Sequence, residues 1–409
     1  MGQSKVSSFL LPFYSLLLPF YYNIMTEKIK YIGCDDPELE LFESQYDLPE
    51  GMCYNSFVIL DEKVAVMDSV DKRKTDEWLD KLEKALDGRK PDYLIAQHYE
   101  PDHSGSVGAF RARYPEAVIV ASAKALQFAA QFDEKFNVDG TKAVKEGDVL
   151  SLGQTTLQFI TAPMVHWPEV IMTWCPEEKV FFSADAFGKF GVKDADPDDW
   201  ACEARRYYFN ICGKYGAPVS TALKKAGKFD IETICPLHGP ILTGEKLAEA
   251  LRLYNIWSKY DVETKGVLVA HASIHGNTAK VAEKLAEILQ AKGAGKVAVA
   301  DLCRDDMAEA IEDAFRMGKL VVCASSYDAD VFPPMHFFLW KLQMKAYQNR
   351  TVAIVENGSW APSAGKAMKA LLEPMKNVKI VEPIVTIKSS MKEADIPQLE
   401  ALADALLNC

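Results

Sequence analysis

No two of the nine cysteines stand in a C-x-x-C pair, and the number is odd and scattered over 409 residues. That spacing excludes a rubredoxin-type or zinc-ribbon module and a cysteine-held iron–sulfur cluster of ordinary form. It also fails to resemble a secreted disulfide framework, so reduced thiols in a cytoplasmic protein are the expectation. Positive charge is short as well: 46 Lys and Arg against 58 Asp and Glu leave a net charge of -12. Such a chain gains nothing from counterion release and is repelled by anionic lipid, which argues against nucleic acid and membrane surfaces as partners. The longest apolar stretch, Phe9 to Tyr22, falls short of the ~20 residues that cross a bilayer, and Pro12 and Pro19 break it as a helix. With Lys5 ahead of it the stretch imitates a signal peptide, yet no small-x-small cleavage site follows. Residues 1–25 therefore read as an N-terminal extension of a chain whose folded part starts near Met25.

What is present divides into two patterns. Over 26–260, short runs rich in Val, Ile, Phe and Thr predict strands at 56–60, 64–67, 93–97, 118–121, 156–161, 171–174, 180–183 and 231–235. Helical spacing predicts helices at 72–87, 107–114, 198–212 and 244–259. Many strands without strict βαβ alternation suggest two packed sheets covered by helices. A polar stretch at 258–265 reads as a linker, and from 266 to 409 strands and helices alternate. Apolar runs at 267–270, 297–300, 320–324, 352–355 and 384–387, each followed by a helical pattern, predict a doubly wound parallel sheet.

The strongest chemical signal in the first half is His98-Tyr99-Glu100-Pro101-Asp102-His103, at the end of a predicted strand. Two imidazoles and two carboxylates in six residues make a poor core and an expensive surface unless a cation neutralises them. The remaining histidines of this half, His166 and His238, also follow strands in Pro-rich loops, and Asp185 follows the strand at 180–183. A single loop histidine is ordinarily a hydrogen-bonded structural residue. Four of them at strand ends, with three acids, point to a binuclear metal site. Four His and three carboxylates without a thiolate suit iron, manganese or zinc, and the charge of Glu100 favours a ferric state.

The second half opens with a strand and then His271-Ala272-Ser273-Ile274-His275-Gly276-Asn277-Thr278 before a helix. A hydroxyl- and glycine-rich turn at a helix N-terminus receives phosphate on its backbone N–H groups. The turn carries neither G-x-G-x-x-G nor a Lys or Arg, which favours a mononucleotide over a dinucleotide. Two further loops at predicted strand ends, containing Ser326-Tyr327-Asp328 and Gly358-Ser359-Trp360, complete a ligand cleft of the doubly wound type.

The set His98-x-Glu100-x-Asp102-His103, His166, Asp185 and His238, followed by those three loops, resembles the flavodiiron proteins across residues 26–409. The resemblance implies a metallo-β-lactamase-like αββα sandwich over 26–260, followed by a flavodoxin-like domain over 266–409. It implies two non-haem irons with a bridging oxo or hydroxo group, one held by His98, Glu100 and His166, the other by Asp102, His103 and His238, with Asp185 between them. It also implies FMN bound by Ser273, Ile274, His275, Gly276, Asn277, Thr278, Ser326, Tyr327, Asp328, Gly358, Ser359 and Trp360. The implied activity is reduction of O2 to water, or of NO to N2O, with O2 placed first as the simpler task for a cytosolic scavenger. Electrons would come from a separate donor such as rubredoxin or a flavin reductase, in a head-to-tail homodimer. The alternative is a zinc-dependent hydrolase of the metallo-β-lactamase superfamily with a regulatory flavodoxin half.

Overall fold

A computed structural model describes residues 25–195 and 199–409. The apolar stretch at 9–22, and with it nearly all of the expected extension, lies outside the described residues.

The first six-stranded sheet runs in the order Ile29–Tyr31, Phe57–Leu60, Val64–Met67, Tyr93–Ile95, Val118–Ser122, Thr141–Val144. Phe57–Leu60 and Val64–Met67 pair antiparallel around the tight connection at 61–63, and the next three pairings are parallel. Val64–Met67 is buried at every position, as a parallel strand covered on both faces requires. These parallel strands end in line, so Asp68 and the residues after Ile95 emerge at the same edge. The second six-stranded sheet follows the order Val149–Ser151, Thr156–Thr161, Ile171–Cys175, Val180–Phe182, Thr233–Cys235, Leu242–Thr243. Together the two sheets make the metallo-β-lactamase-like fold.

The third sheet has the order Lys296–Asp301, Thr264–Ala272, Met317–Tyr327, Thr351–Asn357, Lys379–Ile387, all parallel. In chain order this is 2-1-3-4-5, the flavodoxin-like order, whose switch point lies between its first and third strands. Valines and alanines of those strands pack with the helices Asn277–Ala291 and Ile396–Leu407 in one core.

Several elements escaped the sequence reading. The strand Val149–Ser151 leaves Val149 exposed, so its apolar residues do not point inward in the pattern sought. The helix Ala123–Phe132 starts from Ser122, whose hydroxyl accepts the N–H of Ala125, a cap masked in sequence by the strand run just before it. The polar stretch at 258–265 is not a loose linker. Ser258 is buried, and the Tyr260 hydroxyl donates to the Gly213 carbonyl at 2.8 Å. Glu263 accepts two bonds from Arg205, at 2.8 and 2.7 Å, and one from Trp257 Nε1 at 2.6 Å. The buried Arg350 donates to the carbonyls of Tyr260, Asp261, Phe315 and Met317. Its polarity reflects internal pairing rather than exposure.

Candidate metal centre and cofactor cleft

His98 stands three residues beyond the strand Tyr93–Ile95, and Glu100 is extended before the one-turn helix Pro101–Ser104. The turn residues of 98–103 predict a loop, whereas Pro101–Ser104 form a helical turn. Proline fixes the φ that a first helical residue needs, and the Ser104 hydroxyl donates to the Tyr99 and Glu100 carbonyls to close the turn. Two residues before the helical turn and two within it thus present four donors from one hexapeptide.

The imidazole Nε2 atoms face carboxylate oxygens. His98 lies 3.1 Å from Glu100, His103 3.2 Å from Asp102, and His166 3.1 Å from Asp185 Oδ2. Asp185 Oδ1 lies 3.8 Å from His238 Nε2. The seven side chains fall into two groups, His98, Glu100, His166 and Asp185 in one, Asp102, His103 and His238 in the other. Within each group the ligand atoms all lie within 4.8 Å of one another. The chemistry of this donor set fits a pair of cations. His98 and His238 are wholly buried and Asp185 is 1% exposed, and buried carboxylates beside imidazole lone pairs are stabilised by a metal.

Supporting groups orient the donors, and sequence reasoning missed them. His238 Nδ1 donates to the Cys53 carbonyl at 2.7 Å, which leaves the lone pair on Nε2. Cys53 Sγ accepts the N–H of Gly239 at 2.9 Å, tying the next residue as well. The buried Asp68 accepts the Gln97 backbone N–H at 2.7 Å and its side-chain amide at 2.8 Å, fixing the chain just before His98. Burial pushes the Asp68 carboxyl up to about 6 despite those two bonds. The Ser69 hydroxyl donates to the His103 carbonyl at 2.5 Å. Asp68 carried a readable signal, a charged residue directly after a strand that ends beside the His98 strand. The Cys53 contribution is a carbonyl, which every residue has, and no sequence pattern marks it.

In the second half a cleft of about 630 Å³ opens at the strand C-termini. Ser273, Ile274, His275, Asn277 and Thr278 line it from the first turn, Ser326, Tyr327 and Asp328 from the second, and Gly358, Ser359 and Trp360 from the third. Gly276 lies between lining residues at φ +81°, the left-handed region, with nothing within 4 Å of where a Cβ would stand. The helix Asn277–Ala291 starts without a side-chain cap, and the buried Ser273 hydroxyl has no hydrogen-bond partner among the described residues. Uncapped N–H groups and an unengaged hydroxyl at one helix start fit a phosphate. The Ser326 hydroxyl is already used, accepting the N–H groups of Ser363 and Ala364 at the start of helix Ala364–Leu372. Thr278 and Ser325 join the first two turns at 2.8 Å. Ser389, which sequence reading did not single out, closes the cleft from the last strand's loop and bonds to Ser359 at 2.9 Å. Asn357 holds that loop with bonds to the Ser389 carbonyl and N–H. Trp360 is 92% exposed.

The chain is similar to known proteins over most of its length. Residues 52–239 match a family model described as an ODP family beta lactamase. A nitric oxide reductase of Moorella thermoacetica is 28% identical over 373 residues, 89% of this chain and 92% of that protein. A flavo-diiron protein of Clostridium acetobutylicum is 26% identical over 365 residues, 85% of this chain and 89% of its own length. In fold, the chain is similar to the rubredoxin oxygen:oxidoreductase of Desulfovibrio gigas, with a TM-score of 0.88 at 24% identity over 94% of this chain and 97% of that one. Among the described residues no helix is long and apolar enough to cross a membrane.

Proposed function

The chain belongs with the flavodiiron proteins, and from that premise we propose that it is an oxidoreductase reducing O2 to water, with reduction of NO to N2O as a second activity of the same centre. The observation that carries this reading is the position of Asp185, with one oxygen toward His166 and the other toward His238. Asp185 belongs to the first group of donors and turns its other oxygen to His238 of the second, the disposition a bridging carboxylate would need. In this assignment His98, Glu100 and His166 would hold one iron and Asp102, His103 and His238 the other, with Asp185 between them. The two irons and FMN, when bound, supply the multi-electron chemistry that no side chain provides.

The chain's own part is binding, orientation and exclusion of water. The Cys53 carbonyl keeps the His238 Nδ1 proton in place, so Nε2 faces the metal without tautomeric choice. Asp68 and Gln97 fix the exit of the first strand, and with it the direction of His98. Burial of the donors keeps water out, and charges act on one another more strongly there than in solvent. In the cleft, the turn from Ser273 to Thr278 would take the FMN phosphate on N–H groups and hydroxyls rather than on a cation. Tyr327 and Trp360 would flank the ring.

We assign residues 26–260 to the diiron domain and 266–409 to the FMN domain. The proposed working form is a cytoplasmic head-to-tail homodimer fed by a separate donor such as rubredoxin or a flavin reductase. The chain, purified without chelators, is expected to contain two irons and one FMN. Anaerobic assays with each gas and a saturating donor should show consumption of O2, NO or both. Zinc in place of iron, no flavin absorbance, and thioester or lactam hydrolysis would overturn the reading.

A further inference from the structure

The helices Trp200–Ile211 and Gly244–Trp257 bring Trp200, Tyr208, Tyr254 and Trp257 into ring-to-ring contact. Tyr254 stands nearest the proposed metal ligands. Its hydroxyl accepts the N–H of Phe187 at 2.5 Å and its ring lies 4.2 Å from the Phe187 ring, two residues beyond Asp185. Trp257 follows 5.3 Å from Tyr254, and Trp200 stacks on Trp257 at 6.2 Å and 19°. Tyr208 packs beside the line, 5.1 Å from Tyr254 and 5.3 Å from Trp257.

Packing alone does not call for rings of this kind. The Trp200 indole N–H and the Tyr208 hydroxyl are buried with no hydrogen-bond partner among the described residues, a loss of stability that phenylalanine would avoid. Trp257, by contrast, has a base in place, with Glu263 Oε2 2.6 Å from its Nε1. The Arg205 charge lies 5.9 Å from the Trp257 ring and is answered by Glu263.

We propose that Trp200, Trp257 and Tyr254 form a relay that sends an electron inward to the metal centre when O2 is taken up with too few donor electrons, so that the ligands are not oxidised instead. The inference rests on the gas-reducing reading. Trp257 gives up one electron, which crosses the Tyr254 and Phe187 rings to fill the deficit, and its Nε1 proton moves to the Glu263 carboxylate. A low-molecular-weight thiol in solution then reduces Trp257 by way of Trp200, and the proton returns from Glu263. The thiol releases its own proton and pairs with a second oxidised thiol as a disulfide.

The first test mixes the iron- and FMN-loaded protein with O2 while the donor is withheld, and follows organic radicals by freeze-quench EPR. A tryptophan radical is expected, lost in Trp257→Phe, restored as a tyrosyl signal in Trp257→Tyr and kept in Tyr208→Phe, a variant that removes only a hydroxyl. An unchanged signal in Trp257→Phe, or none in wild-type protein that consumes O2 when given donor, overturns the relay and leaves the gas chemistry standing. A second test is independent of gas consumption: a photo-oxidant tethered to the exposed Cys202, with Cys303 and Cys409 replaced by serine, is fired by a flash. A deprotonated tryptophan radical that vanishes in Trp257→Phe supports the relay, and its absence from the otherwise wild-type protein overturns it.

Discussion

At the metal groups seven side chains supply the candidate donor atoms, whereas the cleft of the second half offers backbone N–H groups and small hydroxyls. Five of the seven donors are buried, and hydrogen bonds from elsewhere in the chain fix the orientation of His238 and of the chain before His98. The cleft is open, ends in a tryptophan that is almost wholly exposed, and leaves a helix start uncapped. The difference follows from what each would bind. A metal ion needs a few lone pairs in fixed directions, and a single lost donor is felt at once. A nucleotide spreads its contacts over three loops, so each residue matters less.

The sharpest way to break this contrast is Asp185→Asn. Replacing a carboxylate oxygen that faces His166 or His238 with an amide should abolish consumption of O2 and NO and lower the iron content, while FMN stays at one per chain by absorbance. Loss of FMN together with iron would show that the two sites are not built independently. A smaller effect is expected from Asp68→Ala, which frees Gln97 and loosens the chain before His98. Orienting groups of this kind are worth about 10–100-fold in metal affinity, and competition with a chelator of known affinity measures it. An unchanged iron affinity would mean that the first strand end needs no brace.

The same contrast governs how much the sequence disclosed. Side-chain donors leave letters behind, and His98, Glu100, Asp102, His103, His166, Asp185 and His238 were all legible as candidates because histidine is scarce and each stands beside turn residues. The βα alternation after residue 266 was legible because apolar runs of Val, Leu, Ile and Ala, buried in the three inner strands, recur between helical patterns. Backbone work leaves no letters. The Cys53 carbonyl under His238 and the Asn357 clamp on Ser389 follow from chain paths that only the fold determines. The stretch at 258–265 misled for a related reason: Glu263 looks solvent-facing in sequence, but its partners Arg205 and Trp257 are distant or unmarked. Pro101 likewise reads as a turn signal although it starts a helical turn.

A buried acid without a metal extends the comparison to the second half. Glu312 on helix Met307–Arg316 is 5% exposed and lies 3.4 Å from Arg205, whose closer bonds go to Glu263. Burial pushes its carboxyl up to about 8, with Asp313 and Glu263 adding to the rise and Arg205 and Arg316 opposing it. A carboxyl raised in the folded state binds a proton that the unfolded chain has already released. Its contribution is therefore full below the ordinary carboxyl range and is lost as pH rises through about 8. The melting temperature should fall from mildly acidic pH up to about 8, and Glu312→Gln should flatten that slope. A slope that survives the substitution would assign it to other groups.

The smallest effect is expected where the cleft is least built. Trp360 is 92% exposed and lines the cleft from the third loop, so its ring gains contact only when a planar ligand covers it. Aromatic stacking of this kind contributes about 0.5–1.5 kcal/mol, which is at most roughly tenfold in affinity. Trp360→Ala should therefore raise the FMN dissociation constant modestly, read by flavin fluorescence on dilution, and leave iron content and melting temperature unchanged. Ser273→Ala, at the phosphate end, removes a buried hydroxyl that has no protein partner among the described residues. It should weaken FMN while leaving the FMN-free protein no less stable, because the hydroxyl is held by nothing until phosphate arrives. If Ser273→Ala destabilised the FMN-free protein, the hydroxyl would be part of the fold, and the second site would be built from side chains after all.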